Sequence, residues 1–513
     1  MENATHEKHR IAQMKRLVLH PFAFCIFPIL SMVSTNIGEL FLREALLPIA
    51  IALFISTALY FGLAVLLRDS FKRGIAVSVF WAGFYAAAPL TDTLRDRLGV
   101  HGAAGPLHLA FAIAAGTIGF AGLLLWLRKT VRTFEGLTAF LNVLAVFALI
   151  VPTILTATRV AQIYRVDARP PPIEGETVDP ASYPDIYFII LDAYTREDYL
   201  RQVFEYDNGP FLDGLRDRGF YIADKSRSNY MFTQMSLAST LNLEYIDEDL
   251  LENVAENWDA AAPRLAGKIW NSKTTAFLKE RGYEFVTFSS YIASTEIRSA
   301  DRYIKPKASG GLTEFQHALI NRTPFRVLMR RLDRPRIFPF FFPFDAINSL
   351  EREGRPMFVF AHIMAPHLPH TVDAEGRHYA TPPTYIEGYR NEVAYLNKRI
   401  DEMVTTVLGN RPNSVFIIQG DHGPWSDWDG NAEGRHEPWR GTREDYIRDR
   451  TAILNAFYFP GGGYDALYPE ITPVNTFRVL LNRFFGAGLP LLEDRTYLYN
   501  EDASEYSVIR EVF

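Results

Sequence analysis

The sequence predicts an α/β domain with a mostly parallel central sheet, preceded by a bundle of five transmembrane helices. Two patterns in the 513 residues support this prediction: the first third is very apolar, and short β-branched or aromatic runs then alternate with helical patterns. We therefore expect three parts. They are a transmembrane domain over residues 1–158, a linker over 159–182 and a catalytic-type α/β domain over 183–513.

Five apolar stretches are each long enough to cross a bilayer, which takes about 20 residues. They span residues 17–36, 46–67, 74–94, 107–127 and 137–158. Lys and Arg precede the first stretch and then recur in alternate loops, so the N-terminus is predicted to be cytoplasmic. Five crossings place everything after the fifth outside the cytoplasm. If one stretch were re-entrant, the large domain would lie inside instead.

A proline-rich linker separates the apolar part from the predicted α/β domain. Its three consecutive prolines, Pro170 to Pro172, favour an extended spacer. The predicted strands are residues 186–191, 285–288, 357–363, 415–419 and 456–459. The predicted helices between them include 211–218, 274–281, 389–408 and 476–485. Strands that alternate with helices indicate a mostly parallel sheet. Residues 300–346 show no clear pattern, and the aromatic patch within 338–344 could pack on the membrane face.

Charge and cysteine content narrow the function classes. A formal net charge of −6 gives no indication of a nucleic-acid partner. The single cysteine, Cys25, excludes an intrachain disulfide and a CxxC site.

Polar side chains of the metal-ligating types lie at the ends of three predicted strands, and His362 and His367 come at or after the third. Asp192 comes directly after the first strand, and the pair Asp421-His422 follows the fourth. Because the carboxyl ends of parallel strands meet at one edge of a sheet, we expect these groups to converge. Two carboxylates and one imidazole suit one divalent cation, with zinc as the first choice and manganese or magnesium as alternatives.

A hydroxyl group completes the predicted site. Thr233 precedes a segment with helical character, so it is expected to open a helix and to be the fourth metal ligand. A divalent cation would lower the pKa of this hydroxyl and make it a nucleophile towards a phosphodiester. Each residue also has a structural interpretation, since an Asp after a strand often caps a turn and a Thr before a helix often caps it. The occurrence of all these residues together favours a metal site over the capping roles.

Histidines supply candidates for proton transfer, because imidazole titrates near neutral pH. His367 and His436 are predicted to donate a proton or to contact phosphate. The other histidines of this region, His362, His370 and His378, are interpreted as packing or surface residues.

These motifs resemble the sulfatase-like branch of the alkaline phosphatase superfamily. Within it, the chain looks most like the membrane-anchored phosphoethanolamine and phosphoglycerol transferases, including lipoteichoic acid synthases. The segment 233–239, Thr-Gln-Met-Ser-Leu-Ala-Ser, is similar to their nucleophile motif. By resemblance, the metal ligands are Asp192, Thr233, Asp421 and His422, and the substrate-side histidines are His367 and His436.

The resemblance implies a multi-pass protein of the bacterial cytoplasmic (inner) membrane with an extracytoplasmic catalytic domain. It implies transfer of a phospho-alcohol group from a phospholipid donor to an envelope glycan or lipid acceptor, through a phospho-threonine. One alternative is hydrolysis of phosphate or sulfate esters on the same scaffold. A third is a non-catalytic membrane scaffold, in which the four predicted ligands would be dispersed.

The chain also departs from the patterns of its relatives. The Cys/Ser-x-Pro-x-Arg element of true sulfatases is absent at Thr233, which disfavours sulfate-ester hydrolysis. The acid after the first strand is commonly Glu in the transferases, whereas Asp192 has a shorter side chain. The further ligands of two-zinc phosphatases and the loop cysteines of some phosphoethanolamine transferases are not found.

Overall fold

The computed structural model describes most of the chain. The described residues are 17–36, 42–98, 105–165, 172–176, 183–256, 258–290, 292–306, 314–326, 340–379, 383–424, 448–500 and 507–512. Their contacts divide the chain into two compact units. The first comprises Met1–Ala161 with Ser309–Arg334, and the second comprises Gln162–Ala308 with Pro335–Phe513.

Five apolar helices are found in the described residues of the first part of the chain, up to residue 165. They are α1 (His20–Thr35), α2 (Leu46–Gly62), α3 (Ser70–Leu98), α4 (Gly105–Lys129) and α5 (Glu135–Arg165). Four segments are long and apolar enough to cross a membrane: Leu42–Val65, Ser70–Thr91, Phe111–Lys129 and Glu135–Ala161. The predicted count of five spans is therefore not confirmed within the described residues.

The first predicted span is shorter than expected because α1 begins only at His20 and has 16 residues. The Asn142 side chain accepts the backbone N–H groups of Leu19 and His20 at 3.0 Å each. This side chain from α5 thus satisfies amide groups at the start of α1, where helix donors lack partners within the helix.

A segment from much later in the sequence also belongs to the first unit. Helix α12 (Glu314–Asn321) buries Phe315 and Leu319, four residues apart, in the same apolar cluster as Trp81. Beyond this helix, Arg326 donates to the Thr91 hydroxyl at 2.9 Å. The spacing of Phe315 and Leu319 is that of one helix face, which explains how so short a helix packs there.

The second unit is built on a seven-stranded mixed sheet with the order β2-β7-β6-β1-β5-β3-β4. The strands are β1 (Asp185–Leu191), β2 (Tyr221–Ile222), β3 (Glu284–Phe288), β4 (Arg302–Ile304), β5 (Met357–Ile363), β6 (Ser414–Gly420) and β7 (Asn455–Tyr458). A separate hairpin pairs β8 (Arg495–Asn500) with β9 (Ser507–Val512).

Helices connect and cover these strands. They are α6 (Glu197–Val203), α7 (Gly209–Asp217), α8 (Thr233–Asn242), α9 (Glu248–Glu256), α10 (Trp258–Trp270), α11 (Lys273–Glu280), α13 (Phe342–Asn348), α14 (Tyr385–Asn410) and α15 (Pro473–Phe485). The α/β prediction is confirmed, and all five predicted strands are present.

The sheet is parallel across its centre and antiparallel at one edge. Strand β1 pairs in parallel with β5 and β6, and β3 pairs in parallel with β4 and β5. Strand β7 runs antiparallel to both β6 and β2. The expectation of a mostly parallel sheet therefore holds for its central strands.

The central strand β1 is buried on both faces. Every residue of Asp185–Leu191 is buried, as expected for a strand covered by helices on both sides. Ile186, Phe188 and Ile190 contribute to one core cluster. Tyr187, Ile189 and Leu191 contribute to the other, because successive side chains point to opposite faces of a strand. The carboxyl end of β1 thus lies at the middle of the sheet edge.

The aromatic patch considered for the membrane face has a different position where it is described. Phe340, Phe341 and Phe344 are buried in the core cluster of the second unit that also contains Tyr187. Residues 338 and 339 lie outside the described part of the chain.

Candidate metal centre and active site

Strand pairing brings the predicted ligands to one edge of the sheet. Leu191, the last residue of β1, pairs with Gly420 of β6 and with Ile363 of β5. Asp192 therefore follows β1 at the level where Asp421 and His422 follow β6. Asp192 and Asp421 are 229 residues apart in the sequence. The parallel pairing of β1 with β6 brings them together at one edge of the sheet.

The two carboxylates and the imidazole form a compact buried group. Ligand atoms of Asp192, Asp421 and His422 all lie within 4.8 Å of one another. His422 Nε2 is 3.6 Å from Asp192 Oδ1 and 3.5 Å from Asp421 Oδ2. All three residues are at most 3% exposed. This donor set, two carboxylates and one imidazole, can hold a divalent cation such as zinc.

The hydrogen bonds around this group leave the ligand atoms available. Asp421 Oδ1 accepts the backbone N–H groups of Ala193 at 2.9 Å and His422 at 3.0 Å. Asp421 Oδ2 and Asp192 Oδ1 are buried without a hydrogen-bond partner among the described residues. Because a buried carboxylate oxygen without a partner is costly, a bound cation would satisfy both oxygens. The residues therefore fit a divalent metal ion.

Neighbouring backbone groups orient the ligands. The Nδ1 atom of His422 lies 2.8 Å from the Gly423 carbonyl and donates to it, so the lone pair of Nε2 points towards the carboxylates. Ala193 adopts a left-handed conformation with φ of +62° directly after Asp192. Its N–H donates to Asp421, which links the ends of β1 and β6. Such a backbone conformation is costly for alanine and persists only where the surroundings hold it.

The charge state of Asp192 follows from its neighbours. Burial alone would raise the pKa of this carboxyl, but the imidazoles of His367, His422 and His362 outweigh burial and hold the pKa below its usual value. Asp192 is thus ionised at neutral pH, as a metal ligand must be.

Thr233 lies beside this group. It is the first residue of α8, and its Oγ1 atom is 3.3 Å from His422 Nε2. The N-cap position belongs to Phe232, which has extended backbone, and no side chain caps the helix. The interpretation of Thr233 as an N-cap is therefore wrong, because its hydroxyl points to the metal centre and not to the amide groups of its own helix.

The dispersal expected of a non-catalytic scaffold is not observed. All four predicted ligands lie close together in the structure, although residues 192 and 422, the first and last of them, are far apart in the sequence. Of the two predicted substrate-side histidines, His367 is described and lines the adjoining cavity, with its Nδ1 atom 2.7 Å from the Leu368 carbonyl. His436 lies outside the described residues.

The sequence places His362 at the edge where the ligands meet, but its interpretation as a packing or surface residue missed its contact with Asp192. It is the next-to-last residue of β5, its side chain is fully buried, and its Nε2 atom is 3.3 Å from Asp192 Oδ2. Its Nδ1 atom hydrogen-bonds Thr295 Oγ1 at 2.9 Å. A polar residue that ends a buried strand next to β1 was the available signal. Of the other two histidines, His370 is buried beside Glu392, whereas His378 is exposed.

We expect His362→Ala to weaken metal binding by about 10- to 100-fold, the usual effect of removing a group that orients a ligand. The variant should leave Asp192 free to rotate away from the other ligands. Metal titration of the purified protein measures the change, with His378→Ala as the control because His378 is exposed and lies outside the centre. Equal affinity of both variants for metal would contradict this role.

A cavity of about 360 Å³ opens onto the metal centre. Its described lining contains no Lys and no Arg. It consists of Asp192, Ala193, Phe232, Thr233, Gln234, Ile292, Met364, Pro366, His367, Leu368, Tyr385 and His422. Because Thr233 and Gln234 are the first residues of α8, backbone N–H groups that lack helix partners face this region, as in many anion sites.

Several solved structures are similar to this chain. The C-terminal periplasmic domain of EptC from Escherichia coli is 12% identical, with a TM-score of 0.42 over 66% of this chain and 96% of that domain. The integral membrane lipooligosaccharide phosphoethanolamine transferase A from Neisseria meningitidis is 14% identical, with a TM-score of 0.39 over 92% and 95% of the two chains. The lipoteichoic acid synthase LtaP from Listeria monocytogenes is 12% identical, with a TM-score of 0.37 over 68% and 90%.

Sequence comparison gives a match to one family model over part of the chain. No curated protein sequence matches the chain significantly. Residues 269–477 match the family model described as Sulfatase. This region includes His367, Asp421 and His422, whereas Asp192 and Thr233 precede it. Over residues 269–477 the chain is therefore similar to the sulfatase family, the branch that its motifs resemble.

Proposed function

We propose that this protein is a membrane metalloenzyme that transfers a phospho-alcohol group from a phospholipid to an envelope glycan or lipid. One observation carries the proposal: the Thr233 hydroxyl lies 3.3 Å from His422 Nε2, beside two buried carboxylates with unpartnered oxygens. A hydroxyl next to such a metal centre, at the opening of a helix, is the arrangement that nucleophilic attack on phosphorus requires.

In the proposed first step, Thr233 Oγ1 attacks the phosphorus of the donor. The Oγ1–H proton passes to solvent, a new Oγ1–P bond forms, and the bond from phosphorus to the lipid-side oxygen breaks. A divalent cation held by Asp192, Asp421 and His422 would lower the pKa of the Thr233 hydroxyl and neutralise phosphate charge. His367 is placed in the cavity wall and is proposed to protonate the departing alcohol oxygen.

The second step returns Thr233 to its free form. The hydroxyl of an acceptor attacks the phospho-threonine and gives its proton to His367, the Oγ1–P bond breaks, and Oγ1 takes up a proton from solvent. An alcohol acceptor gives transfer, whereas water gives hydrolysis, which is the alternative reaction of the same residues.

The charge of the cavity supports a metal-dependent reaction. The described lining supplies no Lys or Arg to pair with a phosphodiester anion. The donor groups that remain include the imidazole of His367, the side chains of Gln234 and Tyr385, and the backbone N–H groups at the start of α8. Since transition-state charge must be stabilised by preorganised groups, a divalent cation is the strongest contribution that this site could make.

A purified sample tests the covalent intermediate directly. The full-length protein, loaded with zinc, is incubated with mixed phospholipids and its intact mass is measured. We expect an added phospho-alcohol mass that maps to Thr233. Incubation of the protein without lipid is the control, and a mass added only at another residue would contradict the mechanism.

The apolar helices of the first unit support a lipid donor, because four of its segments are long and apolar enough to cross a bilayer. The alternating basic loops favour a catalytic unit outside the cytoplasm, provided that the shorter helix α1 also crosses the membrane. A periplasmic-type reporter enzyme fused after Phe513 should therefore be active only on the outer side of the membrane. A cytoplasmic reporter at the same position is the control, and activity of that fusion would overturn the topology.

A further inference from the structure

The turn that follows Asp192 depends on a backbone conformation that alanine avoids. Ala193 has φ of +62°, in the left-handed region, where its Cβ atom comes too close to the following carbonyl oxygen. In this conformation the N–H group of Ala193 donates to Asp421 Oδ1 at 2.9 Å. The turn therefore connects two of the proposed metal ligands, and whatever holds Ala193 in the left-handed region also holds Asp192 beside Asp421.

One buried hydroxyl group binds both ends of this turn. The Tyr389 hydroxyl donates to the Ala193 carbonyl at 2.7 Å and accepts the Thr195 N–H at 3.0 Å. A phenol hydroxyl can donate one hydrogen bond and accept others, and here the backbone of the turn uses it in both ways. Because Thr195 lies only two residues after Ala193, the two bonds close the turn around a single oxygen atom.

The ring that carries this hydroxyl is itself held in place. Tyr389 lies near the start of helix α14 and is fully buried. Its ring stacks on that of Phe204, with the centroids 4.0 Å apart and the planes 20° apart. Burial raises the pKa of the Tyr389 phenol well above its usual value, so the group keeps the proton that it donates to Ala193. A side chain locked by packing holds its partners more precisely than a mobile one.

We propose that Tyr389 is a positioning residue of the metal centre, which holds the left-handed turn at Ala193 and thereby keeps Asp192 and Asp421 within reach of one divalent cation. It acts through the backbone of Ala193, since its hydroxyl bonds that backbone and not the ligand side chains. This inference deepens the proposed function, because it rests on the same metal centre.

Tyr389→Phe tests the inference by removing one oxygen atom and keeping the ring. Zinc affinity of the full-length protein should fall about 10- to 100-fold, the usual effect of losing a group that orients ligands. In the metal-free protein, hydrogen exchange of the Thr195 amide should rise about fivefold, since it loses its acceptor. The fold should be retained, because Tyr194 keeps its backbone hydrogen bonds to Leu191 and Leu454.

Tyr194→Phe is the matched control. Tyr194 is the next residue after Ala193, is equally buried, and its hydroxyl also makes two hydrogen bonds. It donates to Asn397 at 2.6 Å and accepts from Asn208 at 3.1 Å, so these bonds go to side chains and not to the backbone of the turn. This variant loses a buried hydroxyl from the same region and should keep the zinc affinity of the unchanged protein.

Ala193→Gly tests whether Tyr389 acts through the left-handed turn. Glycine adopts this conformation without the steric cost that alanine has. In the Ala193→Gly protein, the loss of zinc affinity caused by Tyr389→Phe should therefore be about fivefold smaller than in the protein with alanine. An equal loss in both proteins would show that Tyr389 does not act through this turn and would overturn the inference.

The outcomes separate this inference from the proposed function. Zinc binding by Tyr389→Phe as tight as that by Tyr194→Phe would overturn the inference and leave Thr233 as the proposed nucleophile. Absence of any mass added at Thr233 by lipid would instead remove the proposed function. The role of Tyr389 is then still decided by zinc titration and hydrogen exchange, because neither measurement depends on turnover.

Discussion

Thr233→Ala is expected to abolish phosphoryl transfer, with a loss of at least about a thousandfold in turnover, since removal of a nucleophile eliminates the covalent route. The substitution removes the hydroxyl that lies 3.3 Å from His422 Nε2 and leaves the other three proposed metal ligands in place. Thr233 does not cap its helix, so the fold should be retained. Turnover of a labelled phospholipid and intact mass after incubation measure the effect.

Thr240→Ala is the matched control for this variant. Thr240 lies on the same helix and is buried to a similar degree, but its hydroxyl donates to the Ser236 carbonyl at 2.8 Å. This variant loses a hydroxyl from α8 without touching the metal centre, and it should retain turnover and the added mass. If Thr233→Ala were as active as Thr240→Ala, Thr233 would not be the nucleophile.

Asp421→Asn is expected to weaken metal binding by at least about a hundredfold, because even groups that only orient ligands contribute up to about this factor. The amide oxygen of asparagine can still accept the N–H groups of Ala193 and His422. Its NH₂ group then replaces Asp421 Oδ2, the unpartnered oxygen that points to the centre. The variant should therefore keep the local backbone and lose the charge that a cation requires.

Asp185→Asn serves as the control, since Asp185 is also a buried aspartate at the end of a central strand. It begins β1, whereas Asp192 follows the other end of that strand, and its Oδ1 atom accepts the Met357 N–H at 2.8 Å. Burial raises the pKa of the Asp185 carboxyl, so a neutral amide is well suited to this position. Metal content by mass spectrometry should be normal for Asp185→Asn and low for Asp421→Asn; equal content would contradict the assignment of Asp421.

The convergence of Asp192, Asp421 and His422 was predictable because the strands that carry them have strong local signals. The apolar runs before Asp192 and before Asp421 mark buried strands, and in parallel sheets ligands collect beyond the carboxyl ends. His362 was harder to assign. Its proximity to Asp192 depends on β5 being the direct neighbour of β1, and the order of strands in a sheet is not contained in the pattern of any one strand.

Local patterns in the sequence determined the apolar helices, the central strands and the types of residue available for chemistry, since these depend on the periodicity of neighbouring residues. The tertiary structure alone decided three other features: the antiparallel edge at β7, the packing of α12 with the first unit, and the apolar cavity beside Thr233. Each arises from contacts between segments far apart in the chain. Such contacts depend on which buried surfaces fit together, and no local pattern records that fit.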